Sequence, residues 1–241
     1  MIELLGVGIP DGRGAWLLHR VCAQLGRGEL TAVVAARRAE GQAFLDALTA
    51  RRIPSEGRVW IDRLPLMRET VARVRRIVVE AGPEARFTEH RSLLWNTLVT
   101  PSAALSGLLR FPRRAARATA TRALAAVRLD GRWRDTVASL APPERARLAL
   151  GRALARRPHA LVLRDVDDAL GADDAAALLR LARGLARTER LVVLASVASA
   201  ALARAHADRV IVLADGRLVF DGPVADFTGE PASCRLHGVV G

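Results

Sequence analysis

The sequence predicts an α/β fold in which a parallel core sheet carries an antiparallel edge and is interrupted by an inserted helical segment. Three observations predict it. Short apolar runs alternate with stretches of helical periodicity on either side of the middle of the chain. Strand-like runs vanish between Gly82 and Leu140. Near the C-terminal end, Asp215-Gly216 separates two apolar runs, which is a strong hairpin signal.

The elements follow in order. Ile2 to Ile9 reads as a strand, Pro10 to Gly14 as a turn, Trp16 to Leu25 as a further apolar run and Gly26 to Glu29 as a second turn. Leu30 to Ala35 is a short buried strand, followed by a loop and a helix over Gln42 to Ala50. Arg58 to Ile61 and Arg76 to Val79 read as strands. Within the inserted segment, Ser92 to Leu98, Ala103 to Leu109 and Arg113 to Leu129 carry helical periodicity.

The central stretch is the richest. Pro142 and Pro143 suit a loop or a first helical turn, where a missing N–H costs little, and Glu144 complements the positive helix start. Ala146, Leu148, Ala149, Leu150, Ala153 and Leu154 recur at helical spacing, mostly separated by arginines, until Pro158 ends the helix. His159 to Leu163 reads as a strand buried on both faces. Asp165, Asp167 and Asp168 come just past its end, where open α/β sheets place ligands; a capped loop without chemistry explains them equally well.

Beyond it, Asp173 to Arg187 is an amphipathic helix, Leu191 to Ala195 a strand and Ser199 to His206 a helix. Arg209 to Leu213 and Arg217 to Phe220 form the hairpin. This order divides the chain into 1–81 (β edge and first half of the core), 82–140 (helical subdomain), 141–223 (second half of the core) and 224–241 (tail).

Composition narrows the function classes. A length of 241 residues suits one large α/β domain or a core with an inserted subdomain. No uninterrupted apolar run approaches the roughly 18 residues of a membrane span, and the first residues lack the pattern of a secretion signal. Cys22 and Cys234 are too few and too far apart for a disulfide framework, so a cytosolic compartment is expected. The net charge of +12 comes from arginine alone, since the chain has no lysine. Such a chain could meet nucleic acid, anionic lipid or a phosphorylated ligand. The arginines are spread throughout and aromatic interleaving is sparse, as a GC-rich coding bias would also produce, so no specific nucleic acid is predicted.

Two segments carry a resemblance to a known family. RLALGRALARRPHALVLRD, Arg147 to Asp165, is similar to the helix after the signature and the Walker B strand of ATP-binding cassette (ABC) transporter subunits. ADRVIVLADGRLVFDGP, Ala207 to Pro223, resembles their final hairpin. FPRRAARATATRALAAVRLDGRWRDTVASL, which closes the helical insertion, is similar to phosphonate-importer ATPases. The resemblance spans Ile2 to Pro223. It implies a P-loop NTPase-like parallel core sheet with an N-terminal antiparallel β subdomain and an inserted helical subdomain. It also implies ATP and magnesium as cofactors, a membrane permease as partner, and a homodimer or a heterodimer with another cassette. The expected location is cytoplasmic, peripheral on the inner face of the cell membrane.

Carried over position by position, the resemblance also shows departures. The family's P-loop, GxxxxGKS/T, cradles phosphate on backbone N–H groups, and its lysine reaches the β- and γ-phosphates. Here those positions run from Ala35 through Arg37, Arg38, Glu40, Gly41 and Gln42 to Ala43. Gly41 stands at the lysine position, and Glu40 places a carboxylate where the triphosphate belongs. A carboxylate at a helix start is stabilised there, so Glu40 is expected to occupy the anion position from within. Arg37 and Arg38 could reach a phosphate from the loop or simply be solvated.

Asp165 keeps the magnesium-linked aspartate, but the catalytic glutamate position is Val166, which cannot accept a proton. Asp167 and Asp168 are offset and suit a cap or a solvated turn. Glu80 stands at the Q-loop glutamine, where it could still touch a metal, and Val197 stands at the switch histidine. The signature LSGGQ becomes Leu140, Ala141, Pro142, Pro143 and Glu144, which removes the hydroxyl and two N–H donors and adds negative charge.

In the family each ATP lies between one subunit's Walker motifs and its partner's signature, so these departures fall on both halves. The preferred reading is a structural or regulatory pseudo-ATPase of the importer class, with a phosphonate-like importer as the resemblance implies, that docks on a permease or a second cassette. Two alternatives stand beside it. One is an active ATPase with relocated groups such as Arg37, Arg38 and Asp167. The other is a basic anion- or nucleic-acid-binding protein on the same scaffold.

Overall fold

The computed structural model describes residues 1–98 and 114–228. The helix expected over Ala103 to Leu109, together with Cys234 and the tail from 229 onward, lies outside them. The strands are β1 (Ile2–Pro10), β2 (Trp16–Leu25), β3 (Glu29–Ala35), β4 (Glu56–Ile61), β5 (Leu64–Pro65), β6 (Val78–Glu80), β7 (Ala160–Leu163), β8 (Val192–Ser196), β9 (Arg209–Ala214) and β10 (Arg217–Pro223). The helices are α1 (Arg38–Leu48), α2 (Val71–Ile77), α3 (Leu93–Leu98), α4 (Arg114–Ala126), α5 (Pro142–Leu154), α6 (Val166–Ala169), α7 (Ala172–Glu189) and α8 (Ala200–His206).

Two compact units divide these elements: residues 1–80 with 159–228, and the described residues of 81–158. The first unit holds both sheets. Strands β2, β1, β4 and β5 form an antiparallel sheet in that order, and β10, β9, β3, β8, β7 and β6 form a sheet that is parallel except for the β9–β10 hairpin. In β2, buried Leu18, Val21, Ala23 and Leu25 are interleaved with exposed residues from Arg20 on, the pattern of a sheet with one solvated face. Strands β7 and β8 are buried at every position, which suits central parallel strands.

A single core joins the two sheets across α1. Phe44, Leu45 and Leu48 of α1 pack in one cluster with Ile2, Leu4 and Leu18 of the antiparallel sheet and Val162, Leu194 and Ile211 of the parallel one. The antiparallel sheet closes tightly at Gly57, whose φ is +76°. A Cβ there would lie 2.3 Å from the Gly6 carbonyl oxygen, so only glycine fits.

Helix α7 buries Ala175, Leu178, Leu179, Ala182, Leu185 and Ala186, a stripe at helical spacing. Helix α8 is capped by the Ser199 hydroxyl, which accepts from the Leu202 N–H. The Asp215-Gly216 turn has positive φ at both residues, +50° and +73°, as a tight hairpin with this dipeptide requires.

The structure corrects the local pattern at two places. Arg76 to Val79 is not one strand: α2 continues to Ile77 and β6 starts at Val78. Val71, Val74 and Ile77 lie three apart, a helical spacing, and Val74 is fully buried, so the β-branched run hides a helix end. Helix α1 begins at Arg38, four residues before the expected start at Gln42, because Glu40 is anchored in its first turn.

In the second unit, α3, α4 and α5 pack together around Leu93, Ala123, Leu124, Val127, Leu148 and Leu150. A Cβ on Gly151 would lie 3.0 Å from Val127, so glycine lets α5 approach closely. Helix α5 therefore groups with the inserted unit, whereas its sequence position places it in the second half of the core. No helix among the described residues is long and apolar enough to cross a membrane.

Candidate functional site

The stretch from Ala35 to Ala43 joins β3 to α1, and only Ala36 and Arg37 lie between the two elements. Arg38 and Glu40, two of the expected phosphate-cradle positions, are already helical. Glu40 is fully buried, and its Oε1 accepts from Arg37 Nε at 2.8 Å, from Arg37 Nη2 at 2.5 Å and from the Gly216 N–H at 2.8 Å. Its Oε2 is buried without a hydrogen-bond partner among the described residues. Gly41 is buried with space for a Cβ only 3.2 Å from the Ala35 side chain; Gln42 is exposed and Ala43 belongs to the core. The first turn of α1 thus carries a buried carboxylate whose partners are the Arg37 guanidinium and the N–H of the β9–β10 turn.

Arg38 does not point into a solvated loop alone. Although more than half exposed, its guanidinium reaches Asp165 Oδ2 at 2.6 Å and Asp168 Oδ2 at 2.8 Å. Asp165 follows β7 in a left-handed conformation, φ +47°, and is held by Ser196: the Asp165 N–H donates to Ser196 Oγ at 2.7 Å, and Ser196 Oγ donates to Asp165 Oδ1 at 3.2 Å. Val166 is fully buried and Val197 nearly so. Asp167, one residue further, accepts from the Ala198 N–H at 3.0 Å and the Ser199 N–H at 2.8 Å. It therefore caps the approach to α8, and its carboxylate is committed there.

Glu80 ends β6 among cations. Its Oε2 lies 2.9 Å from Arg51 Nη2 and 3.1 Å from Arg164 Nε. Arg164 also reaches Asp46 Oδ1 at 2.7 Å and Thr49 Oγ1 at 3.3 Å, tying β7 to the end of α1. Among the described residues no three His, Cys, Asp or Glu side chains gather as a metal-binding group.

In the second unit, Leu140, Ala141, Pro142, Pro143 and Glu144 form the entry to α5. Both prolines occupy the first helical turn, and Glu144 Oε2 accepts from the Ala141 N–H at 3.0 Å. Arg132 Nη1 donates to Glu144 Oε1 at 2.5 Å, and Arg132 Nε donates to Asp135 Oδ2 at 2.7 Å. The Ala141 N–H first, and Arg132 second, hold the Glu144 carboxyl below its ordinary range. The elbow is stitched to its own unit.

Sequence patterns pointed to the ends of these contacts but not to their partners. Arg51, Arg132, Arg164, Ser196 and Gly216 carry no local signal for the roles they take. Only Asp215-Gly216 was marked, and as a turn.

The architecture is that of a nucleotide-binding cassette: a mainly parallel sheet, an antiparallel sheet across a shared core and an inserted helical unit. Solved cassettes share it. CbiO1 from Clostridium perfringens, part of the ABC transporter complex cbiONQ, matches with a TM-score of 0.84 over 98% of this chain and 95% of its own, at 16% identity. The ADP conformation of the cassette MJ1267 matches with a TM-score of 0.86 over 98% and 97%, at 14% identity. No protein-family model matches the chain. Among curated sequences, the phosphonates import ATP-binding protein PhnC 2 of Rhodopseudomonas palustris is 32% identical over 95% of this chain and 82% of its own length. PhnC of Burkholderia pseudomallei is 29% identical over 100% and 80%. The chain belongs to the family of ABC transporter ATP-binding subunits.

Proposed function

We propose that this chain is the cassette subunit of a membrane importer and works by docking, as a structural or regulatory pseudo-ATPase. One observation carries the reading: in the first turn of α1, where the family resemblance puts a phosphate cradle, Glu40 is a buried carboxylate that already takes Arg37 and the Gly216 N–H as partners. A polyanion would meet that carboxylate, and there is no lysine in the chain to offset it. Magnesium would have to compete with Arg38 for Asp165. ATP with magnesium does not fit the side chains as they are arranged. An active site with relocated groups finds no support at Asp167, whose carboxylate caps Ala198 and Ser199.

The curated relatives supply the context. Those reported above are phosphonates import proteins, which supports an importer of phosphonate-like substrates. In that role the cassette sits on the cytoplasmic side of the membrane against a permease, paired with a second copy or with another cassette. Calorimetric titration with Mg-ATP to millimolar concentration tests the reading. The expected result is no saturable heat; saturable, magnesium-dependent binding overturns it.

A further inference from the structure

Arginine is spread along the whole chain, but acid is not. The described residues of the helical unit hold thirteen arginines and five carboxylates, whereas those of the other unit hold twenty-one and nineteen. The excess of positive charge therefore sits on the helical unit, where an anionic partner would be drawn.

Much of that excess lies on α4 and the turn after it. Helix α4 buries Ala120, Ala123 and Leu124 and exposes Arg114, Arg117 and Arg122, with only alanine and threonine among its other exposed residues. Arg128 and Arg134 follow, both exposed. Half-buried Trp133 holds two of these groups in place: the Arg134 guanidinium lies 4.4 Å from its ring centroid and that of Arg117 lies 5.5 Å away. None of the five guanidinium groups meets a carboxylate among the described residues. The nearby acids Asp135 and Glu144 are both taken by Arg132, and exposed Asp130 adds a single negative charge.

The character of this face selects among anionic occupants. A stable protein interface buries about 800 Å² per partner around an apolar core, and the exposed side of α4 offers no large apolar anchor. A single nucleic-acid strand would use an open aromatic platform, whereas Trp133 is half-buried with two guanidinium groups over its ring. A lipid surface asks for neither: cations near the headgroups and an amphipathic aromatic suffice. Guanidinium groups also pair bidentately with phosphate oxygens, and stacking on Trp133 fixes two of them beforehand.

We propose that the α4–Trp133 face of the helical unit docks on an anionic lipid bilayer through its phosphate headgroups. The choice of a membrane over a nucleic-acid duplex rests on the importer reading above, and not on whether the cassette binds ATP. The test is co-sedimentation of the full chain, at low and at high salt, with vesicles of phosphatidylcholine and phosphatidylglycerol and with vesicles of phosphatidylcholine alone. A DNA duplex and polyglutamate serve as competing probes. A site triple, Arg114→Gln, Arg122→Gln and Arg128→Gln, is compared with a control triple, Arg58→Gln, Arg68→Gln and Arg73→Gln, exposed arginines of the other unit. Both triples remove the same net charge, so only its location differs.

The expected result is salt-sensitive binding to the anionic vesicles that falls about tenfold or more in the site triple and holds in the control triple. Absence of binding to them at low salt, equal binding to phosphatidylcholine alone, or equal weakening by both triples overturns the proposal. Selective loss on the duplex or on polyglutamate without the same loss on vesicles also overturns it. Melting curves accompany each variant, and if the site triple unfolds, the single Arg122→Gln change repeats the test with an expected loss of about fivefold. Failure here leaves the importer reading standing, since nucleotide titration tests that reading separately.

Discussion

Glu40 and Gly216 are joined by a hydrogen bond of 2.8 Å, from the glycine N–H to the glutamate Oε1, across 176 residues of chain. The same glycine accepts at its carbonyl from the His19 N–H at 2.7 Å. One turn residue therefore ties the start of α1 to β2 of the antiparallel sheet. Glu40→Ala should cost about 2–4 kcal/mol, from a small cavity and an orphaned buried N–H. Glu40→Gln, which keeps an acceptor and loses the charge, should cost about 1 kcal/mol. Urea midpoints measure both, and equal stability of Glu40→Ala and wild type would sink the account.

Gly57→Ala should lower stability by more than about 2 kcal/mol, because a Cβ would strike the Gly6 carbonyl at 2.3 Å and the positive φ strains any side chain. In a protein of this size that corresponds to a fall in melting temperature of about 4 °C or more. A melt within a degree or so of wild type contradicts it.

Arg38 and Asp165 should couple weakly. The arginine is more than half exposed, so solvent screening limits the pair, and a double-mutant cycle with Arg38→Ala and Asp165→Asn should return about 0.2–1 kcal/mol. A coupling well above that range would mean that the pair is drier than its geometry indicates.

Asp208 should set an acid limb of the stability profile. Burial alone would raise its pKa, but Arg183, the Leu30 N–H and Arg187 outweigh that and hold it below the ordinary carboxylate value. A depressed folded pKa means that the contribution is present above the unfolded pKa, near 4, and is lost as pH falls through the folded one. Asp208→Asn should therefore be destabilised by about 1–3 kcal/mol at pH 7 and approach wild type in strong acid. A difference that does not change between pH 7 and pH 2 refutes the assignment.

Much of the fold was legible because its signals are local. The apolar run Leu30 to Ala35 falls within β3, Leu191 to Ala195 meets β8 from Val192 on, and the Asp-Gly turn falls between β9 and β10. The misread segment, Arg76 to Val79, failed where β-branched residues at helical spacing run directly into a strand. The start of α1 failed because the residue that fixes it, Glu40, is held by a partner far along the chain.

The sequence by itself determined the α/β order of elements, the family, and which chemical groups stand at its motif positions, since these follow from residue type, periodicity and spacing. Only the tertiary structure decided what those groups touch. Arg38 meets Asp165 across 127 residues, Glu80 meets Arg51 and Arg164, and Glu40 meets Gly216. A side chain's charge is written in its identity, but its partner is set by how strands and helices pack, and packing is a property of the whole chain.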